Sequence, residues 1–476
     1  MADRSDGRAG WTLAVVFTVM FLVSLDLSIV NVALPDIDAD LHFSGSGLSW
    51  VINAYLLTFA GLMLLGGRLA DFVGRRTLLL ASLALFAVAS GWGGLAQTSW
   101  ELLAARAVQG VAAAVLAPMS LALVTAEFAE GTARSKAMAV WGGAGAAGGA
   151  AGVVLSGLLT EYVGWRAVMW VNVVFAAVAA AAVSRAIDNR VAGIRGSVDL
   201  PGAVLSTAGV TALVVAVIST EGHGWTSPRV LGWALVGVVA LAAFVVVEAR
   251  TPNPLVPLEF LRRRSLIGAT AFGFMLASAQ FASFYFVSLL MQRVLGYSSV
   301  VTGLAFLPFC VGVVLGLRVA MTLTPAYGPS PVLAVGGLLG AAGLLWFGFA
   351  GPTSSFVTAV LGPSLVASAG IGAATVAMGV AAVAGVPAER SGLASGILNS
   401  ARQLGGSLGL AVLATVAATV IDGSGEPAVL ADGYDTALRL GAGLLAAGAI
   451  AAAVILRDPR VTRARTSEGD LDDVLG

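Results

Sequence analysis

The sequence predicts an all-α polytopic membrane protein, and three observations carry that prediction. Of 476 residues, 58%, or about 276, are hydrophobic, only 11% are charged and the mean hydropathy is +0.93; soluble domains carry roughly 25% charged residues. A soluble chain with this balance would have too little polar surface to stay in solution, which excludes a cytosolic enzyme, a secreted domain and a disordered scaffold. The apolar residues also fall into long runs. Lipid-spanning backbone must pair internally, and these runs are too long for barrel strands of ~10 residues, so they are helices. Finally, at ~20 residues per span, that apolar content supplies about fourteen spans.

In order, the expected spans are 11–34, 50–66, 77–95, 102–124, 137–159, 167–183, 200–218, 230–247, 265–290, 300–319, 332–350, 356–383, 392–420 and 438–456. The first follows a short polar stretch with Arg4 and Arg8. It is longer than a signal-peptide core and has no small-residue cleavage site behind it, so it reads as a retained span. Loop charges orient the set. With the N-terminus cytoplasmic, 20 of the 26 Lys and Arg residues fall inside, Arg166, Arg229, Arg293 and Arg439 fall outside, and Arg106 and Arg402 lie within spans. One missed span would flip every later loop and destroy this asymmetry, so both termini are expected in the cytoplasm.

The remaining composition is informative by exclusion. Net charge is zero and His numbers two, which gives no sign of a nucleic-acid partner. Cys310 is the single cysteine, which rules out disulfides and cysteine-based metal sites. His42 and His223 are expected in short outer loops, with no metalloprotease pattern, so an enzyme is not expected and no cofactor or metal is called for. Nor is there a Walker loop, so energy must come from an ion gradient.

The chain also repeats itself. Arg134-Ser135 opens the fifth span and Arg390-Ser391 the thirteenth, each before glycine-rich helix. The segment Gly67-Arg68-Leu69-Ala70-Asp71 after the second span has a worn counterpart, Gly316-Leu317-Arg318-Val319-Ala320, after the tenth. These offsets predict two six-helix halves with a helix pair inserted between them: 1–190 for the first half, 191–260 for the pair and linker, 261–460 for the second half and 461–476 for a short cytoplasmic tail. Parallel six-helix repeats are a transporter architecture, with the substrate path between the halves.

Several motifs then resemble one family. The loop Gly67 to Arg76, with Asp71, Gly74, Arg75 and Arg76, resembles the Gly-x-Leu-Ala-Asp-x-x-Gly-Arg-Arg signature of the major facilitator superfamily. Leu25-Asp26 through Leu34-Pro35 resembles the first-span signature of its fourteen-helix drug:proton antiporter branch, and Arg106-Ala107-Val108-Gln109-Gly110 the proton-coupling motif of the fourth span. Trp165-Arg166 with Asn172, and Asn399 through Gly406, also match that branch. The resemblance covers essentially the whole chain. It implies a multi-pass protein of the cytoplasmic (inner) membrane that exports lipophilic drugs or antibiotics by alternating access, driven by the proton gradient. Its partners would be a small lipophilic substrate, protons and the bilayer; a monomer suffices, and the sequence does not set the oligomeric state. A proton symporter or a narrow-specificity metabolite exporter of the same fold is the alternative.

One motif departs from the pattern. The fifth span reads Gly148-Gly149-Ala150-Ala151-Gly152-Val153-Val154-Leu155-Ser156-Gly157, with Val153 in place of the branch's proline and Ser156 in place of a glycine. Proline favours a bend, so this helix is expected to be straighter, while Gly148, Gly152 and Gly157 still permit close helix packing.

Asp26 is the leading candidate for chemistry, because a carboxylate inside a span is costly and usually marks an ion or substrate pathway. At ~1.5 Å per residue, Asp26 and Arg106 lie at a common depth, roughly 8–12 Å below the outer surface. Asp26 is therefore expected to carry the coupling proton, with Arg106 tuning it; a structural hydrogen bond holding the first helix is the competing role. The loop bearing Asp71 is expected to act as a cytoplasmic gate. Asn31, Asn53, Tyr55, Gln280, Phe281, Phe284 and Tyr285 could line an apolar substrate cavity. Asn399 and Arg402 are placed on the same possible substrate path, with Arg402 either orienting Asn399 and Gln403 or satisfying backbone carbonyls. With few acids in the spans, neutral or singly charged lipophiles are the expected cargo.

Overall fold

A computed structural model of the chain describes residues 2–43, 45–128, 131–187, 200–251, 254, 263–386 and 391–456. Six helices open the chain: α1 (Ala2–Leu41), α2 (Trp50–Val73), α3 (Arg75–Gly94), α4 (Ser99–Glu127), α5 (Thr132–Tyr162) and α6 (Arg166–Ala186). A pair follows, α7 (Leu200–His223) and α8 (Pro228–Arg250). The rest are α9 (Arg264–Leu289), α10 (Ser299–Ala305), α11 (Leu307–Tyr327), α12 (Pro329–Phe347), α13 (Gly362–Val383), α14 (Ser391–Ile421) and α15 (Pro427–Ile455). Among the described residues there is no strand. Among the described residues thirteen segments are long and apolar enough to cross a membrane, counting α10 with α11 as one, and α2 adds a shorter apolar stretch, Gly47–Met63, where a fourteenth span is expected. The break between α10 and α11 falls at Phe306, two residues before Pro308, whose ring nitrogen has no hydrogen to give the preceding turn.

The helices pack in two sets with matching pairings. α1 lies against α5, α6 and α4, α2 against α4, and α3 against α4 and α6; α9 lies against α14, α15 and α13, α11 against α13, and α12 against α13 and α15. The two sets meet along α2 with α14 and along α5 with α10. α7 wedges into the first of these seams: Val210 and Val214 cluster with Leu57 of α2 and Ala411 of α14. α8 packs on α7 and otherwise faces outward, with Leu235, Val238 and Val239 all more than half exposed, as expected for lipid contact.

Three boundaries differ from the sequence expectation. α1 continues past Pro35 to Leu41, because a proline costs a helix one hydrogen bond and the one carbonyl it frees, that of Asn31, finds another donor, as described below. The segment expected as a loop from Gly67 to Arg76 is nearly all helix: α2 runs to Val73 and α3 starts at Arg75, so Gly74 alone makes the turn, at φ +90°, where a side chain would be strained. The last helix begins at Pro427, eleven residues before the expected 438. Its polar first turns are accommodated because Arg439 donates to the carbonyl of Gly348 and pairs with Asp435 one turn back. Of the inserted pair and linker, 191–260, residues 191–199, 252, 253 and 255–260 lie outside the described residues, as does the tail 461–476.

Candidate functional site

Between Leu22 and Leu34, α1 has no exposed residue and presents different residues to three surroundings. Toward the first-half core it turns Asp26, which is fully buried. Asp26 Oδ2 accepts from Arg106 at 2.8 Å, and Oδ1 accepts from Asn172 Nδ2 at 2.7 Å and from Gln109 Nε2 at 3.3 Å. Arg106 also donates to Gln109 Oε1 (2.9 Å) and to the carbonyl of Val51 (3.0 Å), and its guanidinium lies 4.6 Å from the centre of the Tyr55 ring. Gln109 donates on to Ser90 Oγ at 2.7 Å, and Ser90 to the carbonyl of Phe86. Five helices thus converge on one ion pair in which the carboxylate has three donors. The structure brings together Asp26 and Arg106, the two residues singled out for proton coupling. Gln109 and Asn172, which complete the shell, sit inside motifs recognised in the sequence without a role being read for either; the i,i+3 spacing of Arg106 and Gln109 is the signal that was there to find.

A second face of α1 lines a cavity of about 950 Å³ between the two helix sets. Its walls come from α1, α2, α4 and α5 on one side and α9, α13 and α14 on the other. α14 contributes a helical stripe, Gly392, Ser395, Gly396, Asn399, Arg402 and Gln403; α5 adds Arg134, Met138 and Trp141, and α9 adds Gln280, Phe281 and Phe284. The cavity reaches the face of the bundle where α1 begins, hereafter the N face, and there Thr125, Met138 and Gly392 of its wall are exposed. Of the residues expected to line it, Asn31, Gln280, Phe281, Phe284, Asn399 and Arg402 do so. Asn53 and Tyr55 do not. Asn53 is fully buried with Nδ2 3.5 Å from Ser49 Oγ, and Tyr55 is the platform under Arg106. Tyr285 is likewise buried, its ring against Phe286. Phe284 lines the cavity while stacking on Phe306 at 5.3 Å, so packing and lining are one role there. Arg402 bonds no backbone carbonyl among the described residues; its Nε is buried without a partner.

At the opposite, far face the two sets are locked together. Pro35 cannot donate to the carbonyl of Asn31, and that carbonyl instead accepts Ser288 Oγ of α9 at 2.8 Å. The next carbonyl, Val32, accepts Gln292 Nε2 at 2.9 Å. Arg293 forms an ion pair with Asp38, and Glu161 of α5 accepts the backbone N–H of Val300 at 2.8 Å. Gln292 and Arg293 belong to a π-helical turn, Leu290–Val294, that continues α9. Nearby, Trp165 and Arg166 both donate to Asp40 (3.0 and 2.6 Å), tying the end of α1 to α6.

The third face of α1 meets the glycines of α5. A methyl group at Gly148 would sit 2.4 Å from the carbonyl oxygen of Phe21, and one at Gly152 would sit 1.9 Å from Ser28 Oγ. Gly149 faces open space, so the contact row runs through Gly148 and Gly152. Gly157 serves another seam: its methyl would lie 2.4 Å from the carbonyl of Ser299, at the start of α10. Gly152→Ala is therefore expected to lower thermal stability in detergent by about 1–3 kcal/mol through overpacking, read as a fall in the unfolding midpoint, whereas Gly149→Ala should leave it unchanged. In the segment expected to gate, Arg76 donates to the carbonyl of Ser184 at 3.2 Å; the surroundings of Gly67 and the side chain of Asp71 lie outside those described.

Two helix sets around a cavity open at one face, with a buried ion pair beside it, define a membrane transporter rather than an enzyme. Comparison with known proteins gives the family: the model of the Major Facilitator Superfamily matches residues 16–410, and the chain belongs to that superfamily. It is 42% identical to the cephamycin export protein CmcT of Amycolatopsis lactamdurans, over 89% of this chain and 88% of that one. It is 36% identical to the puromycin resistance protein pur8 of Streptomyces alboniger, over 95% and 92%. A solved bacterial homologue of the human lysosomal transporter Spinster shares the fold, with a TM-score of 0.64, 15% identity and coverage of 94% of this chain and 97% of that one.

Proposed function

We propose that the protein exports small lipophilic molecules, antibiotics among them, across the cytoplasmic membrane by proton-coupled alternating access. The observation that carries this reading is the cavity of about 950 Å³, open at the N face and locked at the far face by the α1–α9 contacts. The loop-charge asymmetry supports assigning the N face, and both termini, to the cytoplasm; the conformation then stands ready to load cargo from inside. Relatives named for cephamycin export and puromycin resistance support the cargo class. Asp26 is the group assigned to the proton, held by Arg106, Gln109 and Asn172 until movement of α1 admits water.

Inside-out vesicles with an acidic lumen provide the test. Amphipathic antibiotics and lipophilic anions, cations and neutral compounds are added in turn while lumenal pH is followed. Alkalinisation that starts on addition and is lost in Asp26→Asn is the expected result. Silence across the whole panel with folded protein present would favour a symporter instead.

A further inference from the structure

We propose that the cavity selects amphiphilic anions, with Arg402 as the residue that receives the acid group of the cargo. This rests on the export reading and narrows its substrate. Among the described residues lining the cavity there is no Asp or Glu, and the two charged ones are Arg134 and Arg402. Arg134 stands at the mouth and donates to the carbonyls of Phe128 and Thr125 at 3.1 and 3.2 Å. Arg402 lies eleven residues into α14, about 16 Å from its N-face end.

The surroundings of Arg402 hold its stem and leave its head free. Cγ packs where α9 carries Gly273, so close that a methyl there would be 3.1 Å away. The guanidinium has no hydrogen-bond or ion-pair partner among the described residues, and Nε is buried without one. A partly buried, uncompensated cation within a span is costly, and in other proteins such charges are paired. Among the described residues the one buried carboxylate of the first half, Asp26, cannot serve, because it is already paired with Arg106 on another face of α1. Asn399 and Gln403 lie beside Arg402 on the cavity stripe, and the buried Oε1 of Gln403 also lacks a partner, so a protonated or hydroxyl-bearing group beside the acid would find an acceptor. Phe281, Phe284, Leu27 and Met63 supply the apolar wall for the body of the ligand. A guanidinium fork receives a planar acid group with two parallel hydrogen bonds. A lipophilic cation would meet the same guanidinium with no acid to offset it, so the site rejects that charge as well as favouring the other.

Matched probes test this on the full chain in lipid nanodiscs, with empty nanodiscs subtracted. 1-Anilinonaphthalene-8-sulfonate carries the acid, N-phenyl-1-naphthylamine is the same ring system without it, and tetraphenylphosphonium is a cation of similar bulk. The sulfonate is expected to bind at least about tenfold tighter than the neutral compound, as a charged hydrogen-bonded pair requires, and the cation weakest. Arg402→Gln should collapse the anion-to-neutral ratio toward one, and Arg402→Lys should keep part of it. Asn399→Asp leaves Arg402 in place and sets a carboxylate on the same helix face one turn away; it should collapse the ratio too, which covers an Arg402→Gln chain that fails to fold. Equal binding of sulfonate and neutral compound, an equal fall in both on losing Arg402, or tightest binding of the cation would overturn the proposal. Proton-coupled movement of neutral or cationic probes without any anion preference would overturn this site and leave the export reading standing. An Arg402-dependent preference without coupled movement of any probe would support the site and count against export.

Discussion

Asp26→Asn is expected to abolish proton-coupled movement of cargo, measured as lumenal alkalinisation in inside-out proteoliposomes, and to lower stability at the same time. The two effects have separate causes. Coupling is lost because asparagine cannot take up and release a proton. Stability falls because Arg106, 1% exposed, keeps its charge while its counterion disappears; breaking a buried pair from one side typically costs about 3–5 kcal/mol. The double variant Asp26→Asn with Arg106→Gln removes both charges and should recover most of the unfolding midpoint without restoring coupled movement. Wild-type coupled efflux from the single Asn variant would assign Asp26 to holding α1 in place and the proton to another group.

The second large effect is expected at the far face. Arg293→Ala removes the ion pair with Asp38, and Gln292→Ala removes the donor to the Val32 carbonyl. Each loss is worth about 1–2 kcal/mol, enough to shift the balance between inward- and outward-open states by roughly tenfold. The readout is a cysteine at Leu27, a cavity residue, in a Cys310→Ser background. Its labelling by a membrane-impermeant maleimide applied from outside the cell should accelerate by about that factor. Pro35→Ala should act in the same direction more weakly, since a restored N–H would compete with Ser288 for the Asn31 carbonyl. Unchanged labelling in all three variants would mean that the α5–α10 seam alone keeps this face shut.

Much of this was legible from the chain. Span count followed from apolar run lengths, and the meeting of Asp26 with Arg106 followed from the rise per residue, because two residues at equal depth on packed helices can touch. The cavity wall was legible only in part. Asn31 and Asn53 look alike in sequence, yet one faces the cavity and the other the protein core. In helices apolar all round, periodicity carries no clear inward direction, so the face each residue presents is set by the neighbouring helices. The far-face lock was hidden for another reason. One of its acceptors is the Asn31 carbonyl released by Pro35, and a sequence shows the missing donor without showing who takes its place. The early start of α15 was masked by the charges of Asp432, Asp435 and Arg439, and the pairing of the last two is visible only in three dimensions.

The three-sided burial of α1 has a kinetic consequence. Its cavity residues Val23, Leu27 and Asn31 lie about 60–140° around the helix from Asp26. On the proposed assignment, cargo and proton therefore have no common ligand to contend for. Acidifying the cytoplasmic side should then depress the maximal rate while leaving the apparent affinity for cargo constant, the pattern of non-competitive inhibition. The same separation makes the machine evolvable: the wall that reads the cargo can be rewritten residue by residue while the group assigned to the driving ion stays untouched, one helix serving as the shaft between them.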